Sequence, residues 1–193
     1  MNSSSLCSLF EFEPREGQYA KGMVVTPFEE IFQELNEQNV RYVVVGGLAV
    51  VLHGHLRTTA DIDLVLALDQ TNVLAAVKAL KTLGYRPRPP VPFEDFADKK
   101  KRAEWIAEKG LTVFSTFSSK FPGIEVDLFV EEPFDFERVF SRVVRIKLEK
   151  TTVTVASLDD LIEMKEKVGR PVDQSDVHVL KLIKIKKESD NER

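Results

Sequence analysis

A mixed α+β fold is what this sequence predicts: a central mixed β-sheet with helices packed on it and a C-terminal helical pair. Three observations lead there. Short β-branched runs alternate with helical patterns over residues 26–84, giving the order α-β-α-β-α. Four further strand-like runs follow between 111 and 156, joined in pairs by short connections. Two helical segments then close the chain after residue 157.

The elements follow in order. Thr26-Pro27-Phe28-Glu29 offers an N-cap, a proline at the first helical position and a capping-box glutamate. Phe28, Ile31, Phe32 and Leu35 then recur at helical spacing, and residues 36–39 end the helix. Residues 41–45 (RYVVV) read as a buried strand that Gly46-Gly47 turns into a short helix over 48–53, stopped by Gly54. Residues 62–68 form the next strand. Asp69 or Thr71 caps a helix carrying Val73, Leu74, Val77 and Leu80, and Gly84 ends it. With prolines at 87, 89, 90 and 92, residues 85–92 are expected to be a stiff loop, and residues 93–109 a helix. Residues 111–117 and 124–130 are expected to form one hairpin, and 143–148 with 152–156 another. A short helix over 134–140 lies between these hairpins. Ser157 starts a helix that runs to Val168 and is stopped by Gly169 and Pro171. Asp173 is expected to cap a last helix ending near Lys187.

Composition supports one domain. A chain of 193 residues with 43% hydrophobic and 30% charged residues is ordinary globular sequence. The expected organisation is a leader over 1–24, a core over 25–156, C-terminal helices over 157–187 and a tail over 188–193. No stretch approaches the roughly 20 apolar residues of a membrane span. A net charge of −4 excludes a global basic field for gripping nucleic acid. Cys7 stands alone, so no internal disulfide forms, and the N-terminus lacks the basic and apolar regions of a signal peptide. A cytoplasmic location is the expectation.

The chemistry concentrates in two segments. Asp61 and Asp63 alternate with Ile62 and Leu64, so both aspartates point to one face of a strand. Two like charges so placed are tolerable at a strand's solvent end or around a divalent cation. In 124–130 (IEVDLFV) the even positions are apolar, so Glu125, Asp127 and Phe129 share the other face. If that strand lies beside the first, Asp127 completes a three-carboxylate site suited to a hard cation such as Mg²⁺. Gly46-Gly47, between a strand and a helix, lets backbone N–H groups approach a phosphate.

Gly46-Gly47, Asp61-x-Asp63 and a later strand bearing Asp127 resemble the DNA-polymerase-beta-type nucleotidyltransferase superfamily. The resemblance extends over roughly 26–186. It takes in GGLAVVLHG from Gly46, RTTADIDL from Arg57, and LIEMK from Leu161 followed by Gly169-Arg170-Pro171-x-Asp173-x-x-Asp176. These segments are similar to those of small bacterial and archaeal AbiEii/MenA-type proteins. The resemblance implies a nucleotidyltransferase fold and transfer of a nucleoside monophosphate from an NTP to RNA (such as a tRNA end), protein or a small molecule. It further implies two Mg²⁺ (or Mn²⁺) ions on Asp61, Asp63 and Asp127, with Asp127 also helping to deprotonate the acceptor. Gly46, Gly47, Arg57 and Lys165 would bind phosphate. A toxin-type role with a cognate antitoxin is also implied. Many members of the superfamily carry Gly-Ser at the phosphate turn; here Leu48 follows Gly47, so that hydroxyl contact is missing. The short chain argues against a templated polymerase, so no DNA template is expected.

Two other functions fit the same residues: a nucleotide- or metal-binding module without turnover that acts through a protein partner, and a metal-dependent phosphodiesterase. His53 and His55 sit at i and i+2, too far round a helix to pinch one metal, so His53 is expected to pack near the helix end. His178, in the last helix, is expected to be structural. Lys99 to Arg102 is expected to form an exposed basic helix face, with RNA contact as its functional alternative. Trp105 and Ile106 are expected to anchor that helix to the core.

Overall fold

A computed structural model describes residues 26–191. The expectations for residues 1–24 and for the last two residues fall outside that range. Among the described residues, one seven-stranded sheet has the order β3-β4-β5-β2-β1-β7-β6. Its strands are β1 (Tyr42–Val44), β2 (Ile62–Leu66), β3 (Tyr85–Pro87), β4 (Val113–Ser118), β5 (Val126–Phe129), β6 (Val144–Lys147) and β7 (Thr152–Val155). The sheet is mixed. β2 pairs with β5, and β1 with β7, in parallel; every other pairing is antiparallel.

The helices are α1 (Thr26–Glu37), α2 (Gly46–Leu52), α3 (Gln70–Thr82), α4 (Lys99–Lys109), α5 (Phe136–Phe140), α6 (Leu158–Val168) and α7 (Pro171–Asn191). Caps set several of their ends. The Asp69 side chain accepts from the Asn72 N–H to start α3, and Ser157 accepts from the Asp160 N–H to start α6. Gly169, in the left-handed region at φ 71°, closes α6.

The two faces of the sheet differ. Ile62, Leu64, Leu66, Val126, Leu128, Phe114 and Tyr85 alternate onto one face, where they are fully or almost fully buried. Trp105 of α4 stacks on Phe114 with ring centroids 5.3 Å apart, the core role expected of it. The opposite face carries Asp63, Asp127, Ser115 and Phe117, all half-buried.

The structure corrects five local expectations. Residues 85–87 are not loop: they form β3, paired antiparallel with β4. Pro87 is accommodated because β3 is the edge strand, whose outer side owes no ladder hydrogen bonds. Residues 93–109 are not one helix but a 3₁₀ turn (Phe93–Ala97) followed by α4, and the break is Asp98, whose side chain caps α4 through the Lys100 N–H. The glycine pair does not precede α2 but forms its first turn. Pro171 does not only stop α6; it opens α7, which runs through Asn191. Asp173 is therefore not an N-cap: it lies inside the first turn of α7 and reaches back to the Arg170 N–H.

Candidate functional site

The site begins with register. Asp63 of β2 and Asp127 of β5 are direct partners across a parallel pairing, so their side chains stand side by side on the half-open face. Asp61, exposed, lies immediately before β2 on the same side. The expected adjacency of the two strands is thus what the fold builds.

Next comes the seat of Asp63. Gly46, at φ +65°, leaves room for it: a Cβ there would fall 1.8 Å from Asp63 Oδ2. The nearby Gly47 N–H favours the charged form of Asp63. A Cβ on Gly47 would meet Thr59 Oγ1 at 2.8 Å and the Arg57 guanidinium at 3.3 Å. Gly46 is therefore needed as glycine to seat Asp63, and the bare Cα of Gly47 lets Thr59 and the Arg57 guanidinium pack closely against the start of α2.

Both partnered carboxylates hold their protons more tightly than ordinary aspartates. For Asp63 the main cause is burial, then the charges of Asp127 and Asp61, opposed by the Gly47 N–H and by Lys165. For Asp127 the main cause is again burial, opposed by the Ser115 hydroxyl and reinforced by Asp61 and Glu125. Asp127 Oδ1 is buried and has no hydrogen-bond partner. A buried acceptor without a donor, beside a second desolvated carboxylate, is costly unless a cation answers it. Among the described residues, no three His, Cys, Asp or Glu side chains already converge to hold a metal ion as they stand. What fits a cation is the Asp63–Asp127 pair, with Asp61 at its exposed rim.

Arg57 and Lys165 belong to a charge network on the α2 flank. Lys165 of α6 is not a solvated lysine; it is 5% exposed. Its Nζ donates to Asp176 Oδ2 at 2.8 Å and sits 3.3 Å from Asp173 Oδ1, both on α7. Asp176 also pairs with Arg57, and Asp173 with Arg170 at 2.7 Å. The fold thus brings Arg57, Lys165, Gly46, Gly47, Asp63 and Asp127 to one side of the sheet. Asp176 is thus shared by Lys165 and Arg57. Sequence reasoning missed Ser115 beside Asp127 and the Arg88–Glu125 pair at the sheet's far half.

Other singled-out residues fall elsewhere. His53 is buried, with Nε2 2.8 Å from the Ala156 carbonyl, the packing role expected of it. His178 is exposed on α7. The basic face over 99–102 is broken: Arg102 is buried and donates to the Phe96 carbonyl at 2.6 Å, so it holds α4 to the core and is not available for RNA. Among the described residues, no helix is long and apolar enough to cross a membrane.

Solved structures share this fold at low identity. The lincosamide antibiotic adenylyltransferase LnuA, bound to lincomycin, matches at 16% identity and a TM-score of 0.51, over 80% of this chain and 96% of that one. ANT(2″)-Ia in complex with adenylyl-2″-tobramycin matches at 15% and 0.50, over 81% and 86%. A candidate nucleotidyltransferase from Thermotoga maritima matches at 16% and 0.51, over 88% and 93%. At these identities the likeness establishes the fold. No curated protein matches the sequence. The model of one family, described as a nucleotidyltransferase of unknown function (DUF6036), matches residues 25–187. This agrees with the DNA-polymerase-beta-type motifs, and the chain belongs to that nucleotidyltransferase family.

Proposed function

We propose that the protein moves a nucleoside monophosphate from an NTP to an acceptor hydroxyl, releasing pyrophosphate, with a divalent cation held by Asp61, Asp63 and Asp127. The observation that supports this most is the in-register Asp63–Asp127 pair, desolvated and with Asp127 Oδ1 unanswered. Carboxylate oxygens are the donors that Mg²⁺ or Mn²⁺ takes. When bound, one or two such ions supply neutralisation of the triphosphate and of the charge that builds on both oxygens at phosphorus.

The chain's own residues do the rest. Asp127 orients the acceptor hydroxyl and takes its proton as general base. The acceptor oxygen bonds to the α-phosphorus while the bond from that phosphorus to the bridging oxygen breaks, and pyrophosphate leaves with the electron pair. Arg57 is half-buried beside Gly47, where its guanidinium meets charge on the departing pyrophosphate. Lys165 serves less as a direct phosphate ligand than as the anchor of Asp176, which in turn holds Arg57. The backbone N–H groups at Gly46 and Gly47 complete the phosphate side. The late-motif resemblance to AbiEii/MenA-type proteins supports a toxin-type setting with a cognate antitoxin.

The test is incubation of purified protein with each α-³²P-labelled NTP, Mg²⁺ and total RNA plus protein extract, beside an Asp61→Asn/Asp63→Asn control. Label in one macromolecular band, only with intact aspartates, is the expected result. Equal labelling by the control overturns the assignment. Nucleotide bound without transfer favours the binding module, and nucleic-acid cleavage without NTP favours the phosphodiesterase.

A further inference from the structure

We propose that Arg86, Phe117 and Arg88, on the half of the open sheet face beyond Asp127, form the docking site for the acceptor. We assign that acceptor as the end of a single-stranded nucleic acid. The proposal rests on the transferase reading above and adds to it the acceptor's class and its place.

Register puts these residues on the face of the carboxylates. Asp63 pairs with Asp127, and Asp127 with Ser115. Phe117 is two residues from Ser115 and so shares its face, and Arg86 is the direct partner of Phe117. Arg88, two residues beyond Arg86, donates its N–H to the Ser115 carbonyl at 2.9 Å. The face therefore runs from acids on β2 and β5, through the half-buried Phe117 ring, to two exposed arginines at the β3 edge.

The direction of the reaction decides which end receives the acceptor. In-line displacement places the incoming hydroxyl opposite the departing pyrophosphate. The phosphate side is the glycine turn between β1 and α2, with Arg57 over it. The acceptor must then come from the other side of β2, across β5, and the surface it crosses is β4 and β3.

The chemistry of that surface decides what fits. Both guanidinium carbons lie 5.4 Å from the centre of the Phe117 ring. Arg88 is held by Glu125. Arg86 has no carboxylate partner among the described residues, so its charge is free for a ligand. An aromatic ring flanked by guanidinium planes suits an acceptor with flat bases joined by phosphates: bases stack on the planes and a phosphate meets Arg86. A polycationic acceptor would meet the unpaired Arg86 guanidinium at its entrance and be repelled.

The experiment is fluorescence anisotropy of a labelled single-stranded RNA with a free 3′-hydroxyl, titrated with the full chain over a range of salt. Wild type is expected to bind. Arg86→Glu should weaken binding about tenfold or more and flatten the slope of log affinity against log salt by about one. Phe117→Leu should weaken binding about tenfold with its circular dichroism unchanged. Lys100→Glu, on the exposed side of α4, should bind as wild type. No binding by wild type, or binding that survives Arg86→Glu, overturns the proposal. ATP binding and transfer, measured on the same proteins, separate it from the transferase reading. RNA binding through Arg86 without any nucleotide binding removes that reading and overturns the assignment of the bound RNA as its acceptor. Transfer to a small molecule or a protein that ignores Arg86 supports that reading and overturns the docking site.

Discussion

Two charge clusters, one buried and one half-buried, flank the start of α2, and they are built on opposite terms. In the first, Lys165 lies between Asp173 and Asp176, and each carboxylate finds a second cation, Arg170 or Arg57. Opposite charges meet and hydrogen-bond, which is how a protein holds ions away from water. In the second, Asp63 and Asp127 stand side by side with no ion pair to either among the described residues, Lys165 and Arg88 acting on them only from a distance, both held toward the protonated form, and one oxygen is unanswered. The first cluster is complete as it stands and fixes how α6, α7 and the Arg57 loop meet. The second gains its missing partner only when something positive enters. The contrast sets a cluster that holds the fold against the pair proposed to perform its chemistry, with Arg57 of the first cluster proposed to serve both.

That contrast can be broken by substitution, and the largest effect falls on activity. Asp127→Asn should lower nucleotide transfer by about a thousandfold or more, measured as kcat/KM with labelled NTP. The same change should not destabilise the cation-free protein; removing one of two like charges should raise its stability by about 1 kcal/mol in urea denaturation. The complete cluster should respond the other way. Lys165→Met leaves Asp173 and Asp176 short of a cation, with an expected loss of about 3–5 kcal/mol in the same measurement. Gly46→Ala couples the two clusters: its methyl group needs the space of Asp63 Oδ2 and its φ is strained, so both transfer and stability should fall, by about 1–3 kcal/mol for stability.

The smallest effect belongs to His53, which the sequence placed near a helix end. Burial holds its pKa below the usual histidine value, against the Ala156 carbonyl, with Lys187 adding to the depression. The buried Nδ1 has no acceptor waiting for a second proton. The unfolded chain therefore binds more protons below about pH 6.5, and stability should fall as pH drops through and below that value. His53→Leu should flatten the pH dependence of urea denaturation in that window by about 1 kcal/mol.

Much of this was legible in local pattern. The α1 stripe, the strand before Gly46 and the caps at Asp69 and Ser157 depend on near neighbours, and all were readable. The alternation that set Asp61 and Asp63, and then Asp127, on common faces was also local; their meeting needed only that β2 and β5 pair. What stayed hidden depends on partners far along the chain. Arg57 and Asp176 meet across 119 residues, and nothing near either names the other. Arg102 reads as one of four surface cations until the 3₁₀ turn ahead of α4 brings the Phe96 carbonyl to it. The prolines near β3 read as loop because proline's cost to a strand depends on whether the strand is an edge, and strand order is not local. With β3 went the arginines beside Phe117.

The most direct measurement is a Mg²⁺ titration of thermal unfolding, comparing wild type with the Asp63→Asn/Asp127→Asn variant. Wild type should gain Tm with added Mg²⁺, while the variant starts at or above the wild-type Tm without Mg²⁺ and does not respond. A variant that starts lower, or that gains as much from Mg²⁺ as wild type, would contradict a carboxylate pair built to receive a cation.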